Sequence, residues 1–72
     1  MKTLITEGYN RNGELVSFEL TNIGYQNLIQ VRIDGRPQLD KSVTLTDTYE
    51  GARNYVINYA RNTFGVTELD NI

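Results

Sequence analysis

The sequence predicts an α+β fold in which an antiparallel β-sheet of three to four strands, built from β-hairpins, packs against one C-terminal amphipathic α-helix. The first half of the chain alternates apolar and polar residues, which is typical of strands with one buried face. The dipeptides Asn12-Gly13 and Asp34-Gly35 predict hairpin turns. A helical apolar period follows over residues 48–64. With 72 residues, the chain is expected to form one domain, 1–72.

The first hairpin is predicted from strands over residues 2–9 and 14–22. The apolar side of its second strand consists of Val16, Phe18 and Leu20. A two-residue Asn-Gly turn places Ile5, Glu7 and Tyr9 on that same side. Because a carboxylate on an apolar face is costly, the alternative is a longer loop with a shifted register.

A third strand is predicted over residues 25–34. Its two faces carry Ile29, Val31 and Ile33 on one side and Leu28, Gln30 and Arg32 on the other. A fourth strand within residues 36–45 is expected to be short or irregular, because Pro37 lacks the amide donor that a central strand needs. The tail over residues 66–72 has spaced apolar residues, and it is expected either to add an edge strand or to fray.

The helix is predicted over residues 48–64, with limits set by local signals at both ends. Asp47, followed three residues later by Glu50, fits an N-cap with a supporting acid. Gly65 supplies a residue that readily ends a helix.

The apolar arc of this helix is broader than one sheet requires. It spans roughly 200°, whereas a stripe of about 100° is sufficient for packing on a sheet. The surplus is expected at one margin, either Tyr55 with Tyr59 or Ile57 with Phe64. Such a margin favours a partner, and the alternative is that the tyrosine rings lie on the sheet edge with their hydroxyls in water.

Composition excludes several kinds of chemistry. The chain has no His, Cys or Trp, so it has no thiol nucleophile, thiolate metal site or imidazole base. Its carboxylates lack the spacing of an acid–base pair or a metal loop, and its glycines are too scattered to cradle a phosphate. We therefore expect no enzymatic activity, no catalytic residues, no cofactor and no metal. No apolar run is long enough for a signal peptide or a membrane span, so we expect a cytoplasmic protein without membrane contacts.

The predicted function is protein–protein interaction. Tyr and Arg are the residues most enriched at the energetic centres of interfaces, and the predicted partner-binding residues are Arg32, Arg36, Tyr55 and Tyr59. Small, acidic, Asn-rich chains of this kind are expected from phage or mobile-element accessory genes. The protein is therefore predicted to bind a host protein and to inhibit or modulate it.

Two alternatives belong to other classes. The order of strands and helix between Tyr25 and Gly65, with Thr46 to Ala52 leading into the helix, is similar in pattern to the three-stranded-sheet-plus-helix DNA-binding domains of tyrosine-type integrase arms and AP2-like proteins. The resemblance implies a sheet that contacts DNA, here through Arg32, Arg36 and Lys41, whereas the net charge of −2 disfavours nucleic acid. The other alternative is a structural homodimer formed by strand edges or helix faces.

Overall fold

The computed structural model describes residues 2–72 and confirms the α+β fold. The elements are strands β1 (Lys2–Tyr9), β2 (Leu15–Ile23), β3 (Gln26–Ile33), β4 (Arg36–Pro37) and β5 (Val43–Leu45), followed by helix α1 (Tyr49–Tyr59). The antiparallel sheet has the order β1-β2-β3-β4, and β5 also pairs with β3. No helix within residues 2–72 is long and apolar enough to cross a membrane.

The predicted fourth strand is divided into two short ones along the same edge of β3. Asp34 and Gly35 both have positive φ angles, 51° and 81°, as a type I′ hairpin turn requires. After β4 the chain leaves the ladder in a 3-10 turn over Leu39–Lys41 and rejoins β3 as β5. The irregularity predicted from Pro37 is therefore confirmed.

The predicted register of the first hairpin is wrong by one residue. Gly8 pairs with Val16 and Thr6 with Phe18, so the alternative with a longer loop is the correct one. The Asn10 side-chain oxygen accepts from two loop amides, those of Asn12 and Glu14, each at 2.9 Å. The register places the Glu7 side chain on the side of the sheet away from the core, and it places Thr6 and Gly8 on the core side.

The core lies between one face of the sheet and α1. Its fully buried apolar side chains are Val16, Phe18, Leu20, Ile29, Val31, Ala52, Val56, Ala60 and Val66. The small side chains Ala52, Val56 and Ala60 recur every four residues, so they form the helix stripe that contacts the sheet. Phe18 at the centre of β2 meets the Phe64 ring edge-on, with centroids 5.5 Å apart.

The N-cap of the helix lies one residue later in the chain than predicted. Thr48 is the N-cap, and its hydroxyl accepts from the Gly51 amide at 3.0 Å. The Asp47 carboxylate instead accepts from the Thr48 amide at 2.7 Å and lies against Gly51, where a Cβ would come within 2.5 Å of it. At the other end a π-helical turn over Ala60–Phe64 leads to Gly65, whose φ of 70° confirms the predicted stop.

The C-terminal tail neither adds a strand nor frays. It packs on the core side of β1, around Thr6 and Gly8. A Cβ on Gly8 would collide with the Glu68 carbonyl and lie 2.6 Å from Cγ1 of Val66. The Thr6 hydroxyl donates to the Asp70 carbonyl, and the Asp70 amide donates to the Glu7 carbonyl at 3.0 Å. The tail therefore completes the core.

A buried amide joins the sheet to the start of the helix. Asn27 on β3 is fully buried, and its Nδ2 donates to the Asp47 carbonyl at 2.7 Å. Its Oδ1 accepts from Nδ2 of Asn22 at 3.0 Å. The bond to Asp47 holds the loop before α1 against the sheet, and the bond from Asn22 fixes the orientation of the Asn27 amide.

Gly8→Ala is expected to lower the free energy of unfolding by about 1–3 kcal/mol, because the added methyl group overlaps the tail. It should also remove hydrogen-exchange protection from the Asp70 amide, which bonds to β1. Gly24→Ala is the matched control, since Gly24 has a positive φ of 58° with open space around it. That variant should lose stability through backbone strain and keep Asp70 protected. Equal Asp70 exchange in both variants would contradict the tail contact.

Asn27→Ala is expected to cost about 1–3 kcal/mol of unfolding free energy, because it removes a fully buried amide together with its hydrogen bonds to the Asp47 carbonyl and from Asn22. Asn22→Ala removes a less buried partner of the same network and should cost less. Urea denaturation of both variants measures the difference. A loss from Asn27→Ala no greater than that from Asn22→Ala would refute the anchoring role.

Candidate functional site

The side of the sheet opposite α1 is open. We call it the open face, and it consists of the odd-numbered residues of β1 and β2 and the even-numbered residues of β3. The helix contacts the other side of β2 and β3, where the core residues lie. In antiparallel sheets with one covered side, the uncovered side is usually polar.

This open face carries more apolar surface than that rule predicts. Ile5, Tyr9 and Ile23 are 55%, 68% and 58% exposed on it. Leu15 and Leu28 are half-buried among its polar residues. Leu15 pairs with Tyr9 at one end of the hairpin, and Ile23 lies at the other end. The apolar side chains are therefore distributed along the whole length of the face.

The charged residues of the open face lie in its middle rows. Arg32 on β3 approaches Glu19 on β2, with Nη1 and Oε2 3.9 Å apart. Glu7 accepts a hydrogen bond from the Ser17 hydroxyl at 3.3 Å. Two carboxylates and one guanidinium leave these strands with a net negative charge on this face. Arg32 remains 45% exposed, so its guanidinium is still available to a partner.

The four predicted partner-binding residues do not form one surface. Arg32 lies on the open face, where it pairs with Pro37. Arg36 is exposed on β4 and pairs with Ile33, so it belongs to the opposite side of the sheet. The structure therefore separates the two arginines that the sequence placed together.

The two predicted tyrosines lie on the helix margin, near the 3-10 turn. Tyr55 is 38% exposed, and its ring lies 5.6 Å from that of Tyr59. Tyr59 is half-buried, packs against Phe18 and donates its hydroxyl to the Lys41 carbonyl at 2.8 Å. Tyr55 is therefore the accessible member of the pair, and the partner-binding role of both residues stays a prediction.

A concave region lies at the end of the sheet beside the start of α1. It has a volume of about 610 Å³, and Lys2, Tyr25 and Tyr49 are part of its wall. The Lys2 ammonium lies 5.2 Å from the centroid of the Tyr49 ring. The helix N-terminus in this region is already occupied by the Asp47 carboxylate and the Thr48 hydroxyl. The region therefore does not offer a free helix end to an anion.

The sequence prediction missed Ile5 and Tyr9 as surface residues because it placed them in the core. The signal that identifies them is Glu7, which alternation puts on the same side of the strand as both. Once Glu7 faces water, Ile5 and Tyr9 face water with it. The small residues Thr6 and Gly8 then face the core, where the tail fills the remaining space.

Comparisons with known proteins give no match: no protein-family model, no curated protein and no solved structure is significantly similar to this chain. The similarity to sheet-plus-helix DNA-binding domains therefore rests on the order of the elements alone. What the fold and the open face define is a small α+β domain with one uncovered, partly apolar sheet face.

Tyr59 is expected to make stability fall at high pH. Burial raises the pKa of its hydroxyl above the ordinary value of 10.0, and Tyr55 and Asp40 act in the same direction. The unfolded chain therefore releases this proton at lower pH than the folded one, so the stabilisation is complete below pH 10.0 and is lost as the pH rises through the folded-state value. Tyr59→Phe should remove this pH-dependent part.

At neutral pH the same variant should cost about 0.5–1.5 kcal/mol through the lost bond to the Lys41 carbonyl. Urea denaturation at pH values below and above the tyrosine titration measures both effects. Tyr25→Phe, at a position 91% exposed, is the control and should follow the unaltered protein at every pH. If the free energy of unfolding of Tyr59→Phe fell at high pH as steeply as that of the unaltered protein, Tyr59 would not be the source of this pH dependence.

Proposed function

We propose that this protein is a small, non-enzymatic binding domain that holds a protein partner on its open face. The observation that carries the proposal is the set of apolar side chains on the uncovered side of the sheet, with Ile5, Tyr9 and Ile23 all more than half exposed. The domain gains nothing in its own core from these side chains. Burial against a partner would remove their apolar surface from water.

The chemistry of the face fits a protein partner. Aromatic residues and Arg are enriched at the centres of protein interfaces, and Tyr9 and Arg32 lie on the same face as the aliphatic residues. Among residues 2–72 the Arg32 guanidinium makes one ionic contact, the long one to Glu19 at 3.9 Å, so a partner carboxylate can compete for it.

Charge favours a protein over a nucleic acid. Binding to a phosphate backbone needs several cations whose counterion release drives association. On the open face Arg32 is accompanied by Glu7 and Glu19, and Arg36 lies on the other side of the sheet. The arginine arrangement expected of a DNA-binding sheet therefore does not support that alternative.

We further propose that the partner is a host protein. The small size and acidic, Asn-rich composition support a phage or mobile-element accessory protein that inhibits or modulates a host protein. In this role the open face would cover a surface of the host protein that carries exposed apolar groups and a carboxylate for Arg32.

The test is affinity capture from host lysate with three forms of the tagged protein. The unaltered chain should retain a stoichiometric protein that survives nuclease treatment. A Tyr9→Ser/Arg32→Ala variant of the open face should retain at least about tenfold less of this partner protein, because truncating residues at the centre of an interface removes much of its binding energy. Tyr55→Ser, on the helix margin, is the matched control and should retain the partner fully.

The outcomes separate the alternatives. Loss of the partner with Tyr55→Ser but not with the open-face variant would move the interface to the helix margin. Recovery of nucleic acid alone, or of proteins that disappear after nuclease treatment, would replace the proposal with DNA binding. Circular dichroism of each variant checks that the fold is retained.

A further inference from the structure

The outer edge of β1 has unused strand-pairing groups. The Asn10 amide donates to the Glu14 carbonyl at 3.0 Å, so the even-numbered positions along β1 direct their backbone groups toward β2. The odd-numbered residues of β1 direct their backbone N–H and C=O groups away from β2. The Glu7 carbonyl is an example, because it accepts a hydrogen bond from the Asp70 amide on that outer side. Thr3 and Ile5 therefore present outward N–H and C=O groups, and within residues 2–72 no strand pairs with them.

The C-terminal tail limits the length of this free edge. The Asp70 amide already occupies the outward-facing carbonyl of Glu7. A further strand can therefore pair along β1 only as far as Thr6. The unprotected part thus spans Lys2 to Thr6 and contains the exposed side chain of Ile5. Unpaired edges of this kind are templates for strand addition.

The two ends of the free edge carry opposite charges. Lys2 is exposed at one end, and Asp70 is exposed at the other, where its carbonyl accepts from the Thr6 hydroxyl. An antiparallel copy of the same edge reverses this order and brings each cation to an acid. The edge is therefore complementary to itself, which favours a second copy of the chain over an unrelated strand.

We infer that two copies of this protein pair antiparallel through β1, with the two-fold axis at Leu4. In this register Thr3 lies opposite Ile5 of the second copy, so the free backbone groups of both residues are used. Lys2 lies opposite Thr6 of the second copy, beside the Asp70 that bonds to it. The same parity places both open faces on one side of a continuous sheet.

The register is tested by cross-linking in a chain that has no cysteine of its own. The Leu4 residues of the two copies lie opposite each other in a non-hydrogen-bonded pair. In such a pair the Cα atoms are about 4.5 Å apart, so a disulfide can form between cysteines at this position. Leu4→Cys should therefore give a covalent dimer on mild oxidation. Glu7→Cys is the matched control, because its two copies lie roughly 20 Å apart in this register and cannot be bridged.

The charge pairing is tested by reversal. Lys2→Glu and Asp70→Lys should each raise the dimer dissociation constant about tenfold, since each places like charges together at two symmetric positions. The combined variant should restore the constant to within about threefold of the unaltered protein. Restoration distinguishes the contact between copies from the contact of Lys2 with Tyr49 in its own chain.

Sedimentation equilibrium of the unaltered chain over about a hundredfold range of concentration should show a mass that rises from one chain to two. A mass of one chain throughout would overturn the inference. So would a dimer that Leu4→Cys does not cross-link, or one that charge reversal does not restore. The Tyr9→Ser/Arg32→Ala variant should still dimerise, so failure of the edge pairing and failure of the proposed partner binding are distinguishable.

Discussion

The burial of one sheet face by a single short helix constrains the whole domain. The stripe of Ala52 and Val56 on α1, continued by Ala60 of the π-helical turn, covers β2 and β3 and is too narrow to cover β1 as well. The tail covers the core side of β1 instead, and it reaches the strand because Gly8 has no side chain. The fold is therefore completed by the last seven residues rather than by a second helix.

The same constraint determines which surfaces of the domain remain uncovered. Residues 2–72 contain one α-helix and one C-terminal tail, and both pack on the same side of the sheet. The opposite side stays uncovered although it carries aliphatic and aromatic residues. Part of the outer edge of β1 is also unpaired within residues 2–72, because the tail bonds to the outward backbone groups of this strand at Glu7. The open face and the free edge thus both follow from the packing of α1 and the tail on the core side of the sheet.

Much of the fold was predictable because it depends on local patterns. The faces of β2 and β3 follow from alternation, and the Asp34-Gly35 turn follows from the two positive φ angles that those residues tolerate. The register of the first hairpin did not follow, because Asn12-Gly13 fits both a two-residue turn and the longer loop that Asn10 stabilises. A shift of one residue exchanged the two faces of β1 and moved Ile5 and Tyr9 from the expected core to the surface.

The sequence by itself determined the elements: three long strands, an interrupted fourth and one amphipathic helix that ends at Gly65. Their signals are turn dipeptides, caps and hydrophobic periods, which act between residues close in the chain. The tertiary structure alone decided where the tail packs, that Tyr59 joins Phe18, and that Arg32 and Arg36 lie on different sides of the sheet. These features depend on which segments pack on the one buried face of the sheet. That choice depends on contacts between residues distant in the sequence, which local patterns do not encode.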